Sequence, residues 1–399
     1  MRFTRTTLIV AAATAVTLLA AGCAPPSKEV PDEPAMSVPD KPSAPVTLNI
    51  LDGGGKIAVE QMIDAFIKEH PDVISSVTWE SASEGDIVSA LKPQVDTGNI
   101  KTDLVITGTS GLAAGMKNNI WAPIATDYAD RLSNIDNLIE PAQELQALTE
   151  GYGVNVVWCY CGPILTYNPK VVTELPHSAQ EVLEWAKANP GKFGYSRPAN
   201  SGVGRTFLLA LPYILGDKDP NDPVNGWEKT WTYLEELGKY IENYPTSTGQ
   251  SMTNLADGTW TLMPSSAGWD VGPRARGQVP EYMETYPMDN TTWMMDPNYA
   301  LVTRGASADK MSAMLMLIQY MLKPEINAMT ANGGQYVPGP VVEGATLDMA
   351  PQATQDLLNK FNRDWYAEAT ASAKFVAPPT QEVVVKALDI WDRRIGAGN

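Results

Sequence analysis

Two cysteines one residue apart, Cys159 and Cys161 in "WCYCGP", are the residues of this chain most suited to chemistry. Outside a reducing compartment they are candidates for a disulfide, although the spacing would close a strained ring. The alternative is two free thiols. A metal site is not expected, because the chain has only two histidines, His70 and His177, and neither lies near the cysteines in sequence. Acid/base catalysis would therefore rest on carboxylates, which are too numerous to nominate a pair. No nucleophile elbow, phosphate loop or zinc-protease helix motif occurs. "GVGRTF" (Gly202–Phe207) begins like a dinucleotide fingerprint but has Phe207 where the third glycine belongs. Binding without catalysis and without a cofactor is the expectation.

Aromatic residues crowd one stretch: Trp260, Trp269, Tyr282, Tyr286, Trp293 and Tyr299, with Asp270 directly after Trp269. An aromatic face beside a carboxylate suits a cation, through cation–π attraction and a charge-assisted hydrogen bond. The same aromatics would suit sugar stacking. Arg197, Arg205, Arg274 and Arg276 keep an anionic ligand, such as a phosphonate, in play.

The elements that would position these residues follow a strand–loop–helix grammar. Val46 to Leu51 reads as a strand ending at Gly53-Gly54-Gly55, and Met62, Ile63, Phe66 and Ile67 then recur at helical spacing. Strands are expected at Val77–Glu80, Asp103–Thr107, Val154–Trp158 and Ile164–Tyr167, and helices at Asp86–Val95 and from Leu112. Ser178 with Glu181 forms a capping box that opens a helix to Asn189. Ser307 and Asp309 precede a methionine-rich helix, Lys310–Leu322, apolar nearly all round and so expected to be buried. This is an α/β pattern with a mostly parallel sheet. Three small-residue loops, Gly53–Gly55, Thr107–Gly111 and Asn200–Gly202, fall where helix starts would offer backbone donors to a polar or anionic ligand.

The N-terminus addresses the chain. Arg2 and Arg5 precede an uncharged apolar run from Leu8 to Ala20, too short to span a bilayer but suited to a signal peptide. It ends in "LLAAGC", which resembles the lipobox of bacterial lipoproteins. That resemblance implies cleavage after Gly22 and lipidation, including palmitate, of Cys23. Residues 23–45 hold seven prolines and no aromatic, a tether favouring extended polyproline II. The formal charge of -17 becomes -19 once Arg2 and Arg5 are lost, which would repel nucleic acid.

Four stretches carry a wider resemblance: "TDLVITGTSGLAAGMKNNIWAPI" (Thr102–Ile124), "GPILTYNPKVV" (Gly162–Val172), "RPANSGVGRTFLLAL" (Arg197–Leu211) and Tyr299–Val342 with its Lys-Pro-Glu. In this order, behind a lipobox, they resemble the type 2 extracellular solute-binding proteins of ABC importers, in the polyamine and iron branch, over nearly all of Val46–Arg394. The resemblance implies a two-lobed α/β fold with a hinge and an interlobe ligand cleft. It implies lobe 1 from residues 46–160 plus 299–345, lobe 2 from 161–298, and C-terminal helices in 346–399 packing across the lobes. The strands would cross near Cys159–Gly162 and between Trp293 and Tyr299. The implied function is capture of a small solute by a monomer for an ABC permease and its ATPase, outside the cytoplasm on a lipid anchor. A cationic, polyamine-like solute is favoured. Iron is disfavoured because no Tyr-Tyr pair exists. A sugar or phosphonate receptor, a sensor feeding a signalling partner, and more remotely a carboxylate-dependent hydrolase are the alternatives. The expected ligand-binding residues are Gly54, Ser110, Tyr160, Ser201, Trp269, Asp270 and Trp293.

Overall fold

A computed structural model describes residues 36–398, apart from Gln335, Asn362, Ser372 and Lys374. The expected signal peptide, Cys23 and most of the tether lie outside these residues. The end of the tether does not stand free: Arg131 donates to the Pro39 and Asp40 carbonyls at 2.8 and 2.9 Å. Lys41 pairs with Asp72, and the Ser43 amide donates to Asp309 at 3.1 Å. Attachment to the folded body thus begins before Pro45.

Two sheets organise the body. The first contains β1 (Val46–Gly53), β2 (Ile74–Ser81), β3 (Leu104–Thr107), β4 (Gly153–Tyr160), β8 (Trp293–Val302) and β9 (Pro338–Gly339), in the order β2-β1-β3-β8-β4-β9. A short strand, β10 (Phe375–Val376), pairs with the start of β8. The second sheet is β6 (Leu262–Ser266), β5 (Pro163–Tyr167) and β7 (Glu284–Pro287), in the order β6-β5-β7. The mostly parallel sheet expected from the sequence is not what forms. Among the described strands only β2-β1-β3 and β10-β8 pair in parallel, and the strand pairs of the second sheet are antiparallel. The reason is topological. β8 returns to the first sheet from the second and enters between β3 and β4 in the opposite sense to both.

Each sheet has its own core. The first cluster packs Leu48, Ile50 and Ile106 of the strands against Met62 and Phe66 of the helix Lys56–Glu69. Met311, Met314, Leu315 and Ile318 of the helix Ala308–Met321 complete it, so that helix is buried on most of its circumference as its composition required. Each such side chain contributes about 1.5–3 kcal/mol by leaving water. The second cluster holds Leu165, Phe193, Phe207, Trp227, Trp231 and, from the C-terminal helix Gln381–Arg394, Trp391. The Trp391 indole donates to the Tyr195 hydroxyl at 3.1 Å, which satisfies its polar edge inside the core.

Two local predictions are met by caps. Ser178 Oγ accepts from the Glu181 amide at 3.2 Å and opens the helix Ala179–Ala188. Ser307 caps Ala308–Met321. A cap not foreseen is Asp52, whose Oδ1 accepts from the Gly54 and Lys56 amides at 2.8 and 2.9 Å. Gly54 sits at φ +119°, a conformation that only glycine adopts readily.

Candidate ligand-binding site

β4 ends at Tyr160 and β5 begins at Pro163, so the chain passes from one sheet to the other through Cys161 and Gly162. A side-chain Cβ at Gly162 would lie 2.5 Å from the Trp293 ring, which leaves no room there for anything but glycine. Beside this passage opens a cleft of about 330 Å³. It is lined from the first sheet's side by Gly54, Glu84, Thr109, Ser110, Cys159 and Asp296, and from the other by Gly202, Arg205, Ser266 and Trp269. Pro378, Pro379 and Val384 of the C-terminal segment also reach it.

All three small-residue loops converge on this cleft, through Gly54, Thr109–Ser110 and Gly202. Their leading amides, however, are already engaged. Asp52 takes those of Gly54 and Lys56. Glu84 takes that of Gly108 at 3.0 Å, and Ser201 Oγ takes that of Gly204 at 3.1 Å. The loops therefore satisfy some of the donors expected for an anion themselves, those of Gly54, Lys56, Gly108 and Gly204. What they leave facing the cleft is a carboxylate, Glu84.

A second carboxylate, Asp296, stands out of β8, where it is the one exposed residue in a strand otherwise buried from end to end. Enclosure by the cleft walls raises its pKa, against the lowering by a hydrogen bond from Cys161 and by Arg205. Glu84 is also raised, chiefly by burial and then by the Asp296 charge, against Arg205 and its own hydrogen-bond donors. Two acids and one arginine give the lining a formal charge of about -1. The Arg205 guanidinium makes no hydrogen bond or ion pair among the described residues, and its charge is felt by both acids.

The expected site residues divide. Gly54, Ser110 and Trp269 line the cleft. Ser201 lies at its edge as the cap of the helix Gly202–Ile214, with its hydroxyl 2.7 Å from that of Thr248. Tyr160 turns toward the C-terminal segment and stacks on Phe375 at 4.8 Å. Trp293 is buried beneath Gly162 and Trp365, stacked on the latter at 6.4 Å. Of the six clustered aromatics only Trp269 faces the cleft. Tyr286 and Tyr299 spend their hydroxyls on the Pro176 and Leu145 carbonyls, and exposed Tyr282 lies under Lys170.

Asp270 is a correction. Its positive partners are the protein's own, Arg274 at 3.0 Å and Arg363 from the C-terminal segment, and the neutral Thr285 hydroxyl also donates to it at 3.3 Å. Its side chain is almost wholly inaccessible, and it makes no helix-capping hydrogen bond either. The cysteine pair takes the second of the two forms left open by the sequence. Cys159 and Cys161 are free, with sulfurs 3.2 Å apart, rather than bonded to each other. Glu84 was missed because nothing in "SASEGD" distinguishes it. Asp296 had a legible signal: a lone acid inside the apolar strand "WMMDPNYALV".

This geometry, with two sheets joined by crossing strands around a cleft, is that of a two-lobed periplasmic-binding-protein fold. The sequence agrees: the chain belongs to the family of bacterial extracellular solute-binding proteins, which it matches over residues 61–382. It is 26% identical over 254 residues to the protein YnjB of Escherichia coli, a match spanning 58% of this chain and 61% of that one. The chain thus spans about three fifths of that relative's length. Among solved structures it resembles the spermidine/putrescine ABC transporter substrate-binding protein PotD of Streptococcus pneumoniae. That likeness has TM-score 0.60 at 16% identity and covers 87% of this chain and 98% of that one. The apo ferric ion-binding protein A of Pasteurella haemolytica is similar at TM-score 0.59 and 14% identity, over 87% and 97% of the two chains. No helix among the described residues is long and apolar enough to cross a membrane.

Proposed function

We propose that this protein captures a small cationic solute in the cleft beside the Cys161–Gly162 passage and hands it to an ABC permease driven by its ATPase, without catalysis. The observation that carries the reading is the pair of carboxylates, Glu84 and Asp296, that face the cleft. An enclosed carboxylate whose charge is disfavoured gains most from a cation that replaces its lost water. Trp269 supplies an aromatic wall for cation–π contact. Polyamine-like amines have the matching chemistry. No feature of the cleft supports the hydrolase alternative.

Arg205 favours a second reading in one respect, since it offers a charged donor to a solute that also carries an anionic group. A thermal-shift screen of amines, zwitterions, sugars and phosphonates separates the two. A bound solute at a hundredfold excess over its Kd stabilises the protein by about 2.7 kcal/mol. Amines should shift the melt and Asp296→Asn should abolish the shift. A response to phosphonates alone would overturn the cationic reading.

The expected lipid on Cys23 fits this role, because it would hold the receptor at the membrane near its permease. Metabolic labelling with an alkyne palmitate, lost in Cys23→Ser, checks that anchor.

A further inference from the structure

The cysteine pair remains unused by the cationic-solute reading, and it lies in the same cleft. Cys159 and Cys161 stand two residues apart on one face of the chain, as the period of a strand requires. Their sulfurs are 3.2 Å apart, and Cys161 Sγ lies 3.4 Å from Asp296 Oδ2. The donor atoms of Cys159, Cys161 and Asp296 all lie within 4.8 Å of one another, and all three residues line the cleft. Cys159 is the neighbour of Asp296 across the β4–β8 pair, so the sheet itself fixes the set. Cys159 is packed so closely on Gly268 that a Cβ there would meet its sulfur at 2.7 Å. At the cleft wall the buried Ser266 hydroxyl has no hydrogen-bond partner.

We propose that Cys159, Cys161 and Asp296 form a site for a zinc-class divalent cation, with its remaining coordination position open to the cleft. Two sulfurs and one carboxylate oxygen are a donor set for a borderline ion. A purely soft ion would want sulfur alone, and a hard one oxygen alone. Two thiolates on a tetrahedral ion with bonds of about 2.3 Å stand about 3.8 Å apart, so the sulfurs need open by only about half an ångström. Cys161 lies just beyond the end of β4 with its amide still donating to the Met294 carbonyl at 2.8 Å, so the opening falls to the side-chain torsions. On binding, two metal–sulfur bonds and one metal–oxygen bond form, and each thiol releases its proton to solvent. The open position would take water, as in metal sites that keep a position free.

This assignment deepens the cationic-solute reading and rests on it for the role of the cleft. It is tested on the full chain, reduced with a phosphine, freed of metal by chelator and kept under argon. Titration with Zn2+ in two buffers of different protonation enthalpy should give one ion per chain and release of about two protons. Co2+ should give a thiolate-to-metal charge-transfer band. Cys159→Ser/Cys161→Ser should lose the band and bind Zn2+ more weakly by more than the ~10–100-fold that an outer-shell partner is worth. Asp296→Asn should keep the band with weaker binding. Absence of the band in the wild-type chain, or unchanged Zn2+ affinity in the double variant, overturns the site. Amine binding, measured in parallel by thermal shift, separates the readings. If it persists while Zn2+ fails, only the metal site falls; if neither binds, the cationic reading falls as well.

Discussion

Arg363 donates from the C-terminal segment to the buried carboxylate of Asp270, and to the Ala267 carbonyl at 2.6 Å. With Arg274 on the other carboxylate oxygen, the pair ties residues 93 positions apart into one buried knot of two arginines on a single carboxylate behind Trp269. The knot fixes the turn that carries Trp269 into the cleft. Removing Arg363 leaves Asp270 paired with Arg274 alone and takes away a buried charge-assisted hydrogen bond. Arg363→Ala should therefore destabilise the fold by about 1.5–3 kcal/mol. Urea denaturation measures this, and a loss under 1 kcal/mol would show that solvent reaches Asp270.

Trp269 and Trp293 should part company on mutation. Trp269 is half-buried on the cleft wall, whereas Trp293 is buried between Gly162 and Trp365. Trp269→Ala should weaken solute binding at least tenfold, about 1.4 kcal/mol, while leaving the melt nearly unchanged. Trp293→Ala should cost about 3–5 kcal/mol of stability. Calorimetric affinity and thermal melts of both variants decide it.

Gly162 offers a probe of the passage between the sheets. Gly162→Ala forces a methyl against the Trp293 ring. Overpacking of this kind costs about 1–3 kcal/mol. Because the strain falls on the link joining β4 to β5, solute affinity should fall with it. An alanine variant with wild-type melt and affinity would mean that the link is slack.

The raised pKa values of Glu84 and Asp296 set opposite pH trends for stability and binding. Each carboxyl holds its proton more tightly folded than unfolded, so the folded state carries more protons above the ordinary carboxylate pKa. Stability from these groups is full below that value and is lost as pH rises to the folded pKa. Asp296→Asn should accordingly make the solute-free protein more stable at neutral pH. Cation affinity should run the other way and weaken as pH falls from about 7 toward 4. Affinity that stays flat across that range would remove both carboxylates from the site.

Much of this was legible in the residues. Local signals placed the elements: apolar runs at Val46–Leu51 and Val154–Trp158, the Ser178 cap, and the buried methionine helix. They act over a few residues, so sequence order suffices to read them. Strand direction was misjudged because β8 returns from the second sheet, and no local pattern records that. Asp270 was misread for a related reason: the arginine that neutralises it arrives 93 residues later.

By itself, the sequence determined a signal-peptide-like start with Cys23 behind it, an α/β body of strand–loop–helix units, three glycine and serine loops at helix starts, and a pair of cysteines one residue apart. These follow from hydrophobic period, turn chemistry and spacing, which are short-range. Only the tertiary structure decided which charges face the cleft. It folded Asp270 inward against two arginines and left Asp296 standing out of a buried strand. It brought Glu84 from a different element to the same cleft and set both cysteines beside Asp296. Whether a carboxylate is a strut or a ligand depends on what surrounds it, and that is settled by packing between residues distant in the chain.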